Sequence, residues 1–135
     1  MTIAESLRKI LESERLFGSM FYDVFFTRSP EARKYFDGVD MKRQALVLTM
    51  ALQMMEQFHT NGYAAIDHYL RHIGHHHHDR DVPRELYADW RDSLLVALEQ
   101  FLGADWSDDL RGEWERAIAS ATTAMFRGYD EPIGI

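Results

Sequence analysis

Residues 73–87, IGHHHHDRDVPRELY, hold four consecutive histidines at the end of one expected helix and a proline that precedes the next. Neutral imidazole is the commonest protein ligand for a transition metal, and this chain contains no cysteine that could serve instead. The stretch can therefore supply a metal ligand at this helix end, although composition alone favours the other interpretation that follows. The competing interpretation is a solvated histidine tract that picks up nickel or zinc opportunistically.

The composition predicts one domain over residues 1–135 with a packed core, because 46% of the residues are hydrophobic. A net charge of −7, from 22 acidic and 15 basic residues, argues against a nucleic-acid partner. The absence of cysteine excludes disulfides, thiolate zinc sites and cysteine catalysis. The longest apolar stretch is far shorter than the roughly 20 residues that cross a bilayer. We therefore expect a cytoplasmic protein with no membrane partner.

The spacing of apolar residues and the helix-capping signals are typical of an all-helical chain. Thr2 with Glu5 is a capping-box pattern, and Asp40 and Ser107 are capping residues before two longer helices. We expect six or seven helices. They are one carrying Leu7 and Ile10, one from Phe17 to Arg28, a short one that Ser29-Pro30-Glu31 opens and Phe36 ends, one from Asp40 to Asn61-Gly62, one from Tyr63 to about His75, one that Pro83 opens before Gly103, and one that Ser107 caps.

Three segments together resemble the bacterial single-domain globins and the haem domain of flavohaemoglobins. They are Phe21-Tyr22-Asp23 with Phe25 to Glu31 and Lys34-Tyr35-Phe36; Asp40 to Gln44 with Leu48; and His77, Val82-Pro83 and Tyr87 with Leu94-Leu95 and Trp114. The resemblance covers nearly the whole chain. It implies an all-α globin fold, a three-over-three helical sandwich with a shortened first helix, and haem b as the cofactor.

The resemblance implies that His77 is the iron ligand, because the family's ligand lies five residues before the position of Val82 and ten before that of Tyr87. The neighbouring His76 and His78 stay open as alternatives. An imidazole at a helix end can present its far nitrogen to iron while its near N–H donates to a carbonyl one turn earlier.

Tyr87 corresponds to a flavohaemoglobin tyrosine that joins a hydrogen-bond network with the proximal histidine and a glutamate. The place of that glutamate falls at Tyr129, with Asp130 adjacent, so the carboxylate is missing or displaced. This departure puts strong, peroxidase-like electron donation to the iron in doubt.

On the distal side, the resemblance implies that Tyr22 donates a hydrogen bond to the gas ligand. Gln44 matches the polar distal position and Leu48 the apolar residue above the ring. A shift of one residue would place Arg43 and Val47 there instead.

Phe36 is expected to pack flat against the porphyrin, although an ordinary core aromatic at the end of a short helix is compatible with the same position. Four cationic side chains could pair with the haem propionates, because carboxylates at a pocket edge need cationic donors. They are Lys42, Arg43, Arg71 and His75.

The expected function is reversible binding of O2, CO or NO, in gas sensing, oxygen binding or nitric-oxide detoxification. One alternative is a nitric-oxide dioxygenase or weak peroxidase that needs a separate reductase, since the chain ends at Ile135 without a reductase domain. Another is a haem-free globin-like signalling module or a protein that binds metal through its histidine cluster. A monomer or a homodimer is expected.

Overall fold

The computed structural model describes residues 1–131, and these form helices without any strand. No helix among the described residues is long and apolar enough to cross a membrane. The all-α expectation is confirmed. The elements are α1 (Ile3–Glu12), α2 (Phe17–Arg28), a 3-10 segment (Pro30–Phe36), α3 (Met41–Asn61), α4 (Ala64–Asp79), α5 (Leu86–Leu102), a 3-10 turn (Gly103–Asp105) and α6 (Asp108–Asp130).

Three helices begin at the capping residues that the sequence predicts. Thr2 and Glu5 form both hydrogen bonds of a capping box at the start of α1. The Asp40 carboxylate accepts from the backbone N–H of Lys42 at 3.0 Å before α3. Ser107 caps α6 in the same way. These ends follow from local chemistry, because each cap satisfies backbone donors within its own first turn.

Two predicted boundaries are wrong. α4 does not end near His75 but continues to Asp79, and α5 begins at Leu86, not at Pro83. An imidazole does not interrupt a helix, so α4 runs on until Asp81 adopts a left-handed backbone with φ of 59°. The Pro83 carbonyl then accepts from the Leu86 N–H at 3.1 Å, which makes residues 83–86 a turn before the helix.

The short segment Pro30–Phe36 is a 3-10 helix with proline at its start, as the sequence suggests. Its cap differs from the prediction, since the Ser29 side chain makes no capping hydrogen bond. The segment folds back on α2 and brings Phe36 against Phe26, with ring centroids 5.3 Å apart.

The helices pack in two layers of three, with α1, α3 and α4 lying over α2, α5 and α6. α3 packs against both α2 and α6, whereas α4 packs mainly against α6. α3 and α4 share α6 as a neighbour but barely contact one another. One hydrophobic core runs through all six helices. That residues 1–135 form a single domain stays a prediction.

The crossing of α2 and α3 depends on a glycine. A Cβ on Gly18 would overlap the backbone carbonyl of Ala45, so the two helices meet backbone to backbone. The Gly18 N–H donates to the Thr49 hydroxyl at 2.9 Å, and that hydroxyl donates to the Ala45 carbonyl at 2.8 Å. This contact fixes the register of α3 against α2.

Two further glycines join α4 to α6. A Cβ on Gly74 would overlap the Met125 carbonyl, and one on Gly128 would overlap the Arg71 carbonyl. Each helix therefore supplies a glycine to the other at the same crossing. The close approach fixes the position of α4, the helix that carries the histidine run.

Candidate functional site

The first cluster of predicted site residues lies where α2 meets the start of α3. Tyr22 is buried on α2, and Gln44, in the first turn of α3, donates from Nε2 to the Tyr22 hydroxyl at 2.9 Å. Phe36 meets Tyr22 edge to face, with ring centroids 5.3 Å apart. Leu48 is buried one turn beyond Gln44. The structure thus brings together Tyr22, Gln44 and Phe36 and places Leu48 beside them along the helix.

Of the two registers that the sequence left open for α3, the structure places Gln44 beside Tyr22. Arg43 is exposed. One turn further on, Leu48 is 5% exposed whereas Val47 is 49% exposed. The pair Gln44 and Leu48 therefore faces inward, and the pair Arg43 and Val47 does not.

Burial raises the pKa of Tyr22 to about 12, although the hydrogen bond from Gln44 acts in the opposite direction. The phenol therefore keeps its proton at neutral pH. Among the hydrogen bonds of residues 1–131, the Tyr22 oxygen accepts from Gln44 and its own O–H has no acceptor. A buried phenol in this state can donate to a ligand that enters beside it.

The second cluster joins the end of α4 to the start of α5. The half-buried His77 places Nδ1 2.6 Å from the hydroxyl of Tyr87, which is buried in the first turn of α5. The partner of this nitrogen is thus the phenol of Tyr87, as the resemblance implies, and not the carbonyl one turn earlier that was the other expectation. Within residues 1–131, His77 Nε2 makes no hydrogen bond.

The environment of this pair keeps both side chains neutral. Burial lowers the pKa of His77 from 6.5 to about 4, and the positive charges of Arg80 and His76 lower it further. Burial raises the pKa of Tyr87 well above its ordinary value. At neutral pH, His77 therefore carries a lone pair on one ring nitrogen, and a proton on Nδ1 would direct that lone pair to Nε2.

The segment between α4 and α5 is held by hydrogen bonds to the N–H and to the carbonyl of Val82. The Val82 N–H donates to the His77 carbonyl at 3.0 Å, and the Val82 carbonyl accepts from the Tyr129 hydroxyl at 2.8 Å. The adjacent carboxylate of Asp130 forms an exposed ion pair with Arg84. Tyr129 thus stabilises the corner, while the Asp130 carboxylate is engaged by Arg84.

The other imidazoles of the run point in different directions. His75 lies 3.3 Å from the Asp79 carboxylate, and His78 is exposed. His76 is also exposed, and its Nε2 lies 3.0 Å from Nε2 of His72. In the described part of the chain, no group of three His, Asp or Glu side chains is arranged to hold a metal ion.

The four suggested propionate partners differ in availability. Arg71 already pairs with Asp67 at 3.2 Å and with Glu131 at 3.0 Å, and His75 is paired as well. Lys42 and Arg43 are exposed and form no ion pair within residues 1–131. Cationic donors therefore remain at the start of α3.

Sequence reasoning missed the glycines that bring the helices into contact and the hydroxyl of Tyr129. The available signal was an unexplained glycine inside a helical pattern, since glycine costs roughly 1 kcal/mol relative to alanine there and is usually present for a packing reason. Gly18, Gly74 and Gly128 each fit that description. Their partners could not be identified without the fold.

Comparison with known proteins agrees with this arrangement. The family model described as Globin matches residues 19–125, from α2 into α6. A cuticular isoform of globin from Nippostrongylus brasiliensis is 24% identical over 110 residues, which is 73% of this chain and 63% of that protein. The chain thus spans less than two thirds of the length of that curated relative. With most of its helical core matched by the family model, the chain belongs to the globin family.

Proposed function

We propose that this chain binds haem and takes up O2, CO or NO reversibly at an iron held by His77. Membership of the globin family supports haem-based gas binding in general. The observation that carries the specific proposal is the 2.6 Å contact between His77 Nδ1 and Tyr87 Oη. When the neutral imidazole donates from Nδ1 to the Tyr87 hydroxyl, Nε2 keeps the lone pair and is the nitrogen that can ligate a metal.

The residues present fit a haem. The donor set is one neutral imidazole with an unbonded Nε2, and the buried phenol of Tyr22 has an O–H without an acceptor among the described residues. Phe36 and Leu48 supply apolar surface beside Tyr22, and Lys42, which forms no ion pair within residues 1–131, suits a propionate at the edge. When bound, haem supplies an iron with an open position for a diatomic gas.

Tyr22 selects among gases by hydrogen bonding. Its O–H would donate to a polar ligand such as O2 more strongly than to CO, and one such bond is worth about 1.4 kcal/mol. Gln44 holds the phenol in place by donating to its oxygen. Slow release of O2 suits gas sensing or nitric-oxide detoxification better than bulk oxygen transport.

On the proximal side, a neutral phenol takes the place of a carboxylate next to His77. A carboxylate partner would make the imidazole a stronger electron donor, whereas the Tyr87 hydroxyl accepts only a neutral hydrogen bond. This arrangement favours reversible binding over peroxidase chemistry. Nitric-oxide dioxygenase turnover with a separate reductase is therefore the second candidate function. The cytoplasmic location and the monomeric or homodimeric state stay predictions.

Haemin titration of the purified chain tests the proposal. We expect a saturable Soret band, and a shift of that band when CO is added to the reduced protein. His77→Ala should lose tight haem binding, whereas His78→Ala, a substitution at an exposed neighbour, should behave as wild type. The proposal fails if wild type gives no Soret band, or if both variants retain the wild-type spectra.

A further inference from the structure

Two histidines one turn apart on α4 form a pair that the proposed haem site does not use. His72 and His76 bring their Nε2 atoms to 3.0 Å, with the rings nearly perpendicular at 85°. Within residues 1–131, neither Nε2 has another hydrogen-bond partner, and the buried His72 Nδ1 has none either. In the metal-free chain one Nε2 donates to the other, and when both imidazoles carry their proton on Nδ1, both Nε2 atoms can offer a lone pair on the same side of α4.

The separation of these nitrogens matches a particular metal geometry. With metal–nitrogen bonds of about 2.0–2.1 Å, two nitrogens 3.0 Å apart subtend an angle of roughly 95° at the metal. That angle is near the right angle between neighbouring positions of a square-planar or tetragonal site, which Cu²⁺ and Ni²⁺ prefer.

We propose that His72 and His76 form a two-imidazole site for a divalent metal of the Cu²⁺ class. The i and i+4 spacing places both rings on one face of α4, and water can complete the coordination because His76 is exposed. Cu²⁺ binds a given set of nitrogen ligands more tightly than the other divalent first-row metals. The site includes a residue from outside the histidine run.

The proposal differs from opportunistic binding by a histidine tract. His75 is directed to Asp79, and His78 approaches the ring of Tyr129 with centroids 5.4 Å apart. A solvated tract would bind metal through any of these imidazoles, whereas the proposed site requires His72 and His76. It also requires no haem, so its outcome is distinct from that of the gas-binding proposal.

Electron paramagnetic resonance of the 135-residue chain with one equivalent of Cu²⁺ tests the site. The spectra are recorded on haem-free and haemin-loaded samples. We expect a tetragonal spectrum with splitting from two nitrogens. His72→Gln and His76→Gln should each weaken Cu²⁺ binding about 100-fold in competition titrations, because one ligand of a chelating pair is lost. Two controls carry the same substitution outside the pair and should bind Cu²⁺ as wild type does. They are His78→Gln, at an exposed position of α4, and His59→Gln, on α3.

Three results would overturn the proposal. They are wild-type protein that binds no Cu²⁺, unchanged affinity in His72→Gln or His76→Gln, and a loss in His78→Gln equal to that in His76→Gln. The last result would identify a solvated tract. Circular dichroism melting verifies the fold of each variant, and the exposed position of His76 makes His76→Gln the least disruptive substitution.

Discussion

The two sides of the proposed haem site are built in opposite ways. On the distal side, Tyr22 accepts a hydrogen bond from Gln44, and within residues 1–131 its own O–H has no acceptor. On the proximal side, His77 is bonded through its ring to Tyr87 and through its backbone carbonyl to Val82. The Tyr22 hydroxyl can therefore donate to a ligand that binds beside it, whereas the His77 imidazole is held in one orientation.

This difference corresponds to the different tasks of the two residues. A metal ligand must present a lone pair in one direction, so hydrogen bonds that fix its tautomer and ring plane improve it. A donor to an incoming ligand must keep its proton unused until that ligand arrives. The helix crossings differ in the same way. Two glycines allow α4, which carries His77, to pack closely on α6, whereas one glycine allows the close packing of α2, which carries Tyr22, on α3.

The largest expected effect is on the α4–α6 crossing. Gly74→Ala places a methyl group against the Met125 carbonyl, and we expect a loss of about 3 kcal/mol in the free energy of unfolding. Urea denaturation of the haem-free protein measures it. Gly112→Ala on α6 is the matched control, because its nearest neighbour is the end of the Arg116 side chain, 3.3 Å away. Equal stability of the two variants would contradict the glycine crossing.

The second test measures how the stability of the protein depends on pH through the lowered pKa of His77. Its pKa of about 4 in the folded state lies below the ordinary 6.5, so the unfolded chain binds more protons between these values. Stability is therefore complete above pH 6.5 and falls as the pH drops towards 4, by on the order of 2 kcal/mol. His77→Gln cannot titrate and should lose less stability between pH 7 and pH 4.5. Parallel losses in the variant and in wild type would refute the buried, neutral state.

A third effect concerns the distal donor. Tyr22→Phe removes the O–H, and O2 should leave the reduced, haem-loaded protein about tenfold faster, as the loss of a bond worth about 1.4 kcal/mol implies. CO release should change much less. Stopped-flow ligand displacement measures both rates. Tyr63→Phe removes the same group from a side chain that is 54% exposed, and it should leave both rates unchanged. A Tyr22→Phe protein with wild-type O2 release would disprove the donor role.

The smallest effect is expected at the corner between α4 and α5. Tyr129→Phe leaves the Val82 carbonyl without its donor, and we expect a loss of about 1 kcal/mol in the free energy of unfolding. Chemical denaturation of the haem-free chain is the measurement. Tyr69→Phe is the control, because Tyr69 is 44% exposed. An effect no larger than that of the control would show that the corner does not depend on this bond.

The parts that the sequence predicts are those that local chemistry decides. Thr2, Asp40 and Ser107 cap their helices because each bond closes within one turn. The end of α4 was placed wrongly near His75, since no side chain stops that helix and the left-handed Asp81 lies further along. Asp81 is only a weak signal for that backbone state, because aspartate adopts it less readily than glycine and no glycine stands near this helix end after Gly74.

The site follows the same division. The resemblance to the globins predicts Tyr22, Gln44, His77 and Tyr87 as site residues, and the structure pairs them two by two. The partner of Tyr129 lies 47 positions away and is a backbone carbonyl. A carbonyl leaves no signature in the sequence, so such a bond becomes visible only with the fold.

The most direct test of the central claim is chemical rescue of His77→Gly with free imidazole. With haemin and no imidazole, this variant should lack the histidine-ligated ferrous spectrum that we expect of wild type and its CO complex. Added imidazole should fill the space left by the side chain and restore both, whereas His76→Gly should need no rescue. A His77→Gly protein that binds haemin and CO as wild type does, without imidazole, would contradict the assignment of the iron ligand.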